Sequence, residues 1–129
     1  MSGRFLLDTN IVIAIFSKEA KVRAHLVSTT EVFVPAIVLG ELYYGAYKSL
    51  RITENIEKIN EFAAINTVLI SDTATAQAYG QIKSALRAKG RPIPENDIWI
   101  AAIAMQYNLT LVTRDGHFGE VDGLAIETW

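Results

Sequence analysis

The chain has 129 residues, 50% of them hydrophobic and 20% charged, which excludes a disordered or fibrous protein and allows one sizeable core. It holds no cysteine and two histidines, His25 and His117. That removes disulfides, thiolate chemistry and zinc–sulfur sites, and it speaks against a histidine-built metal centre or triad. A formal charge of −2 argues against a protein that grips nucleic acid by basic excess alone, but it leaves room for an acidic pocket offset by local basic patches.

The chain then alternates strands with helices. Phe5-Leu6-Leu7 is a short apolar run, as in a strand buried on both faces of a parallel sheet, and it stops at Asp8-Thr9-Asn10. Ile11 to Phe16 begins a buried helix, and Glu19 to Ser28 continues as a mixed helix with Val22, Leu26 and Val27 as its apolar side. Glu31 to Val34 reads as a second strand, and Pro35 marks the start of a helix from Ile37 to about Ser49. A further helix covers Thr53 to Phe62, and Thr67 to Ile70 is a third strand ending at the cap Ser71-Asp72. The next helix, Ala74 to Lys89, closes at Gly90. Arg91 to Pro94 is a rigid connector to a helix opened by Glu95-Asn96-Asp97, with Ile98, Ala101, Ala102 and Met105 at helical spacing. Leu109 to Val112 is a fourth strand, followed by Thr113-Arg114-Asp115-Gly116, and Leu124 to Ile126 a short last one. This order predicts a single α/β domain over residues 1–129, a central parallel sheet covered by helices on both faces. The longest apolar run, Ile98 to Met105, is too short to span a bilayer. No signal peptide is readable at the N-terminus. The expectation is a soluble, cytoplasmic protein with no membrane association.

Most carboxylates fall among polar neighbours: Glu19, Glu54, Glu57, Glu61 and Glu120 read as solvated, Asp72 as a helix cap and Asp122 as part of a turn. Four do not. Asp8 and Asp115 follow the first and fourth strands, whose ends emerge on one edge of a parallel sheet, where such sheets bind ligands. Asp97 opens an apolar helix, and Glu41 sits inside another, where an unpaired charge costs several kcal/mol by order of magnitude. Singly, each has a plain explanation: Asp8 and Asp97 as caps, Asp115-Gly116 as a turn, Glu41 as a partner of Lys48. Jointly, four carboxylates would repel one another, and divalent ions are the natural remedy. Such a centre suits phosphodiester hydrolysis, because divalent ions acidify water and offset charge on the reacting oxygens.

Leu7-Asp8-Thr9-Asn10, Gly40-Glu41-Leu42, Asn96-Asp97-Ile98-Trp99-Ile100-Ala101-Ala102 and Thr113-Arg114-Asp115-Gly116-His117-Phe118 together resemble the PIN-domain signature, and more narrowly the VapC toxins of toxin–antitoxin pairs. The resemblance implies a PIN-like α/β/α sandwich and an endoribonuclease dependent on Mg²⁺ or Mn²⁺. It implies Asp8 and Asp97 as the direct metal ligands, Glu41 and Asp115 completing the site, and Thr113 as a hydroxyl that hydrogen-bonds within it. The Asn96–Ala102 segment and the closing Gly123–Trp129 resemble the subgroup that cuts initiator tRNA in its anticodon loop. The implied partners are tRNA or another structured RNA, a VapB-type antitoxin and a second copy in a homodimer.

Lys83, Arg87, Lys89 and Arg91 are candidate phosphate contacts or an ordinary solvated helix end, and Arg114 is a candidate phosphate guide. Tyr43, Tyr44 and Tyr47 either stack on bases or pack in the core or an interface, the second being the simpler reading; Trp99 reads as core or interface. His117 reads as structural. Two rivals remain open: a phosphatase with Asp8 as nucleophile, though position 10 is Asn where a haloacid-dehalogenase-like enzyme has a second Asp, and a catalytically silent α/β binding module. A receiver-like signalling domain fits less well, lacking an acidic pair near the N-terminus.

Overall fold

In the computed structural model, which describes residues 3–28 and 31–129, the apolar run at the N-terminus is the central strand. β1 (Arg4–Leu7) lies between β2 (Glu31–Pro35) and β4 (Thr110–Val112), with β3 (Thr67–Leu69) and β5 (Ile126–Glu127) at the edges; the order is β3-β2-β1-β4-β5 and every pairing is parallel. Leu6, Leu7, Leu111 and Val112 are fully buried, as strands covered on both faces must be.

The helices are α1 (Thr9–Phe16), α2 (Ala20–Val27), α3 (Ala36–Tyr47), α4 (Ile52–Ile65), α5 (Thr73–Ala88) and α6 (Glu95–Gln106). A 3₁₀ turn over Gly116–Glu120, not foreseen from the sequence, follows β4. The helix α6 is buried almost all round, from Ile98 and Ile100 through Ala101, Ala102, Ile103 and Ala104. The expected apolar set there is corrected at its end, since Met105 is exposed. Val27 and Ile70, expected on apolar sides, are exposed too, each at the last residue of its element or just past it. The final strand lies two residues later than expected, at Ile126–Glu127.

Helix ends follow the cap chemistry in the sequence. Asp72 accepts from the backbone N–H of Thr75 while the Thr75 hydroxyl accepts from the backbone N–H of Asp72, a reciprocal pairing that satisfies two orphan donors. Gly90 takes φ +67°, and the N–H of Arg91 reaches back to the carbonyl of Leu86, closing α5 as a glycine stop does. Asn108 makes the same left-handed turn at φ 55°, with Leu109 donating to the carbonyl of Ala104, so α6 feeds directly into β4.

The chain runs outward from β1 to β2 and β3, then crosses back to lay β4 on the other side of β1. The strand order therefore reverses between β1 and β4, and the crevice beyond their carboxyl ends is the place where open α/β sheets bind ligands.

Candidate active site

The register sets the first contact. Leu7 pairs with Val112, and the Asp8 N–H extends the ladder by donating to the Val112 carbonyl at 3.0 Å. Asp8 and Thr113 thus emerge side by side at the reversal point. The Thr113 hydroxyl donates to Asp8 Oδ2 at 2.7 Å and accepts from the Asp115 N–H at 3.0 Å. One buried hydroxyl, on a residue 2% exposed, ties the Asp8 carboxylate to the backbone of Asp115.

Asp8 serves as a cap as well as a site residue. Its Oδ1 accepts from the Thr9 N–H at 2.8 Å, opening α1. The two readings of Asp8 were alternatives in the sequence, but the cap uses one oxygen and the other lies against Thr113, so the cap does not exclude a place in the site. The Thr9 hydroxyl donates at 2.7 Å to Glu41 Oε1, so the partner of Glu41 is Thr9. Lys48, its suggested counter-ion, lies instead with its ammonium 4.5 Å over the Tyr44 ring. The Asn10 amide donates to Asp8 at 3.4 Å and its carbonyl accepts from the Arg114 N–H at 3.2 Å. Asn10 is a tie between the two strand-end loops.

Asp97, in the first turn of α6, completes the group. It is 9% exposed, and its carboxylate has no hydrogen-bond or ion-pair partner among the described residues. Burial, then the neighbouring charges of Asp115, Asp8 and Glu41, push its pKa up to about 6 against the opposing pull of His117. Asp8 is pushed upward as well, mainly by burial, with the Thr113 and Thr9 hydrogen bonds holding it down and Glu41 and Asp115 raising it. The five residues expected at the site, Asp8, Glu41, Asp97, Thr113 and Asp115, are brought together.

His117, read from the sequence as structural, stands beside the carboxylates. Its Nδ1 lies 2.8 Å from Asp115 Oδ1, and one donor atom each from Asp97, Asp115 and His117 fall within 4.8 Å of one another. The sequence clue was the two-residue offset from Asp115, which a tight 3₁₀ turn folds back on the carboxylate.

The expected phosphate contacts are mostly engaged elsewhere. Lys83 pairs with Glu95 at 2.6 Å, Lys89 with Asp122 at 3.2 Å and Arg91 with Glu120 at 3.9 Å. Arg114 makes a two-pronged pair with Glu19, at 2.7 and 3.2 Å, and its Nε donates to the Trp129 carbonyl. It fastens the β4 loop to the start of α2 and to the Trp129 segment. Glu19 is therefore not simply solvated. Trp129 is buried, stacked on His25 at 5.0 Å and edge-on to Phe5 at 5.3 Å. Trp99 stacks on Tyr79 at 4.1 Å, a packing role.

Thr113→Val is expected to destabilise the fold by about 1–2 kcal/mol, because a buried hydroxyl that satisfies two partners is lost while shape is kept. Chemical denaturation of the variant measures this; an unchanged midpoint would show that the hydroxyl holds nothing.

A parallel sheet with a carboxylate cluster at its reversal point defines an α/β domain built around an acidic, cation-seeking centre. The chain belongs to the PIN-domain family, whose model matches residues 5–124, and its curated relatives are VapC proteins. It is 37% identical over 129 residues to the tRNA(fMet)-specific endonuclease VapC of Shigella flexneri, with 98% of both chains covered. It is equally 37% identical to ribonuclease VapC2 of Haemophilus influenzae, over 130 residues and 98% of both chains. Among solved structures it resembles VapBC2 of Rickettsia felis bound to a promoter DNA fragment, with a TM-score of 0.89, 30% identity and 100% and 99% of the two chains covered. DNA-bound VapBC of Salmonella typhimurium also gives 0.89, at 35% identity and 98% of both chains. The resemblance drawn from four sequence segments is borne out over the whole chain.

Proposed function

We propose that this chain is a divalent-metal-dependent endoribonuclease, the toxin of a VapBC-type pair, cutting tRNA or another structured RNA at a single-stranded loop. The observation that carries it is the meeting of Asp8, Glu41 and Asp115 with Asp97, whose largely enclosed side chain reaches solvent through its oxygens and has no hydrogen-bond or ion-pair partner among the described residues. Four carboxylates with one exposed histidine and, among the described residues, no lysine or arginine paired to them fit a hard cation better than any arrangement of the chain alone. In this reading Asp8, Asp97 and Asp115 hold Mg²⁺ or Mn²⁺, Glu41 completes the set, and Thr113 and Thr9 fix the carboxylates in place. The ion supplies Lewis acidity, acidifying water and offsetting the charge that grows on the phosphodiester.

The face of α3 beside the site supports a nucleic-acid strand. A cavity of about 570 Å³ runs from Thr9, Glu41 and Asn96 across Gly40 and Gly45 to Tyr44 and Lys48. A Cβ at Gly40 or Gly45 would meet nothing within 4 Å, so the packing of this chain does not require either glycine, although each costs a helix interior about 1 kcal/mol relative to Ala. They leave the helix backbone open to close approach, with an exposed ring for stacking and an ammonium for a phosphate at one end. RNA, and tRNA in particular, is supported by the names of the VapC relatives.

The solved relatives are VapBC complexes, and we assign this chain the same kind of VapB antitoxin partner, a homodimeric state and a cytoplasmic place. An antitoxin guanidinium would suit the acidic pocket, standing in for a cation among carboxylates. No helix among the described residues is long and apolar enough to cross a membrane.

Purified protein incubated with total RNA and Mg²⁺ or Mn²⁺ is expected to give a few discrete new ends within loops, and none when EDTA removes the metal. Intact RNA, or diffuse degradation indifferent to EDTA, would overturn the reading.

A further inference from the structure

His117 belongs to neither the core nor the four carboxylates, yet it stands against both acidic residues on the open side of the site. Its side chain is 57% exposed, and the residue is the second of the 3₁₀ turn Gly116–Glu120 after β4. Asp115 Oδ1, which lies 2.8 Å from the imidazole, already accepts the backbone N–H of His117 at 2.9 Å. The ring is therefore not needed to orient that carboxylate, and its exposure leaves it no packing role.

What the ring does share with Asp115 is the space in front of Asp97. One nitrogen and two oxygens from these three residues lie within 4.8 Å of one another. Donors bound to one ion at ~2.1 Å each stand no more than ~4.2 Å apart, so small side-chain rotations close the set. Asp97, 9% exposed and without a side-chain partner among the described residues, leaves in that space a carboxylate free to take a cation.

We propose that His117 gives an imidazole nitrogen to the divalent ion held by Asp97 and Asp115, and so makes the site favour Mn²⁺ over Mg²⁺. Mg²⁺ demands oxygen donors in near-ideal octahedral order, and an all-carboxylate site gives it no disadvantage. Mn²⁺, although the weakest binder of the first transition row, accepts an imidazole nitrogen more readily than the harder Mg²⁺ does. The inference rests on reading the acidic cluster as a metal centre, and its test separates the two.

The test combines pulsed electron paramagnetic resonance of bound Mn²⁺ with titration calorimetry of Mn²⁺ and Mg²⁺, on the full chain and on its His117→Ala and Asp97→Asn variants, with folding checked by circular dichroism. The expected result is a directly coordinated ¹⁴N coupling that disappears in His117→Ala, where the Mn²⁺ dissociation constant rises about tenfold and that for Mg²⁺ changes less than twofold. Mn²⁺ that binds, is lost in Asp97→Asn and shows no nitrogen coupling would overturn the role of His117 and leave the metal centre standing. So would equal weakening of both ions in His117→Ala. Mn²⁺ binding indifferent to Asp97→Asn would overturn both.

Discussion

Asp8→Asn and Asp97→Asn are each expected to lower the rate of RNA cleavage at least 10²-fold while leaving the fold intact. In the proposed centre both side chains would hold the ion, and misplacing the cation that would offset the developing negative charge costs about 3–4 kcal/mol of barrier, or 10²–10³ in rate. The structural cost is small by comparison. Asn is as good an N-cap as Asp, so Asn at position 8 keeps the bond from the Thr9 N–H. The loss of the acceptor of the Thr113 hydroxyl costs about 1–2 kcal/mol, too little to unfold the domain. The Asp97 side chain has no hydrogen bond to lose among the described residues, and the bond from its backbone N–H to the Pro94 carbonyl is untouched by the substitution. Initial rates with Mn²⁺, set beside thermal unfolding of the same preparations, check this. A variant that unfolds at ordinary temperature would mean that these carboxylates are scaffold, and one that cleaves RNA at full rate would mean that they are not the site.

In the metal-free protein the same charge is a burden, and Asp97→Asn should stabilise it. Asp97 is pushed from 3.8 to about 6, so between those values the native state binds the proton that the unfolded chain releases, and stability falls as pH rises through that window. Asp8 is shifted in the same direction and steepens the trend. A two-unit shift corresponds to ~3 kcal/mol. The dipole at the start of α6 favours an anion by ~0.3–1 kcal/mol, and that benefit is lost with the charge. Because the Asp97 oxygens reach solvent, screening reduces the remainder further, and the net gain for Asp97→Asn at pH 7.5 in EDTA is on the order of 1–2 kcal/mol. The metal-free wild type should become more stable from pH 7.5 down to pH 5, and the variant should lose most of that slope. Denaturation midpoints across the range read both effects. A wild type that weakens steadily as pH falls from 7.5 would contradict the assignment of repulsion to these groups.

The central architecture was legible because each strand announced itself locally. Phe5-Leu6-Leu7 and Leu111-Val112 are apolar without interruption, and the carboxylates that stop or follow them are the ones that converge. The reciprocal cap of Asp72 and the stop at Gly90 rest on neighbours a few residues away, which a sequence displays. What stayed hidden was pairing at a distance. Lys83, Lys89 and Arg91 look like an open basic run, but Glu95, Asp122 and Glu120 come to them only when α5, α6 and the 3₁₀ turn pack together. Arg114 and Glu19, 95 residues apart, form their fork for the same reason. Glu41 was recognised as out of place among apolar neighbours, but its partner, the Thr9 hydroxyl, became visible only once α1 and α3 lay side by side. His117 was passed over because no second histidine stood near it, although its neighbours at the site are two aspartates. Val27, Ile70 and Met105 fit an apolar pattern and are exposed all the same, since periodicity does not show where an element leaves the core.

The most direct measurement is a crystal soaked in Mn²⁺ and recorded for its anomalous signal. The account predicts a peak enclosed by Asp8, Asp97 and Asp115, with Glu41 at its edge, that vanishes in Asp97→Asn. Mn²⁺ found elsewhere on the molecule, with the four carboxylates bare at saturating ion, would contradict it.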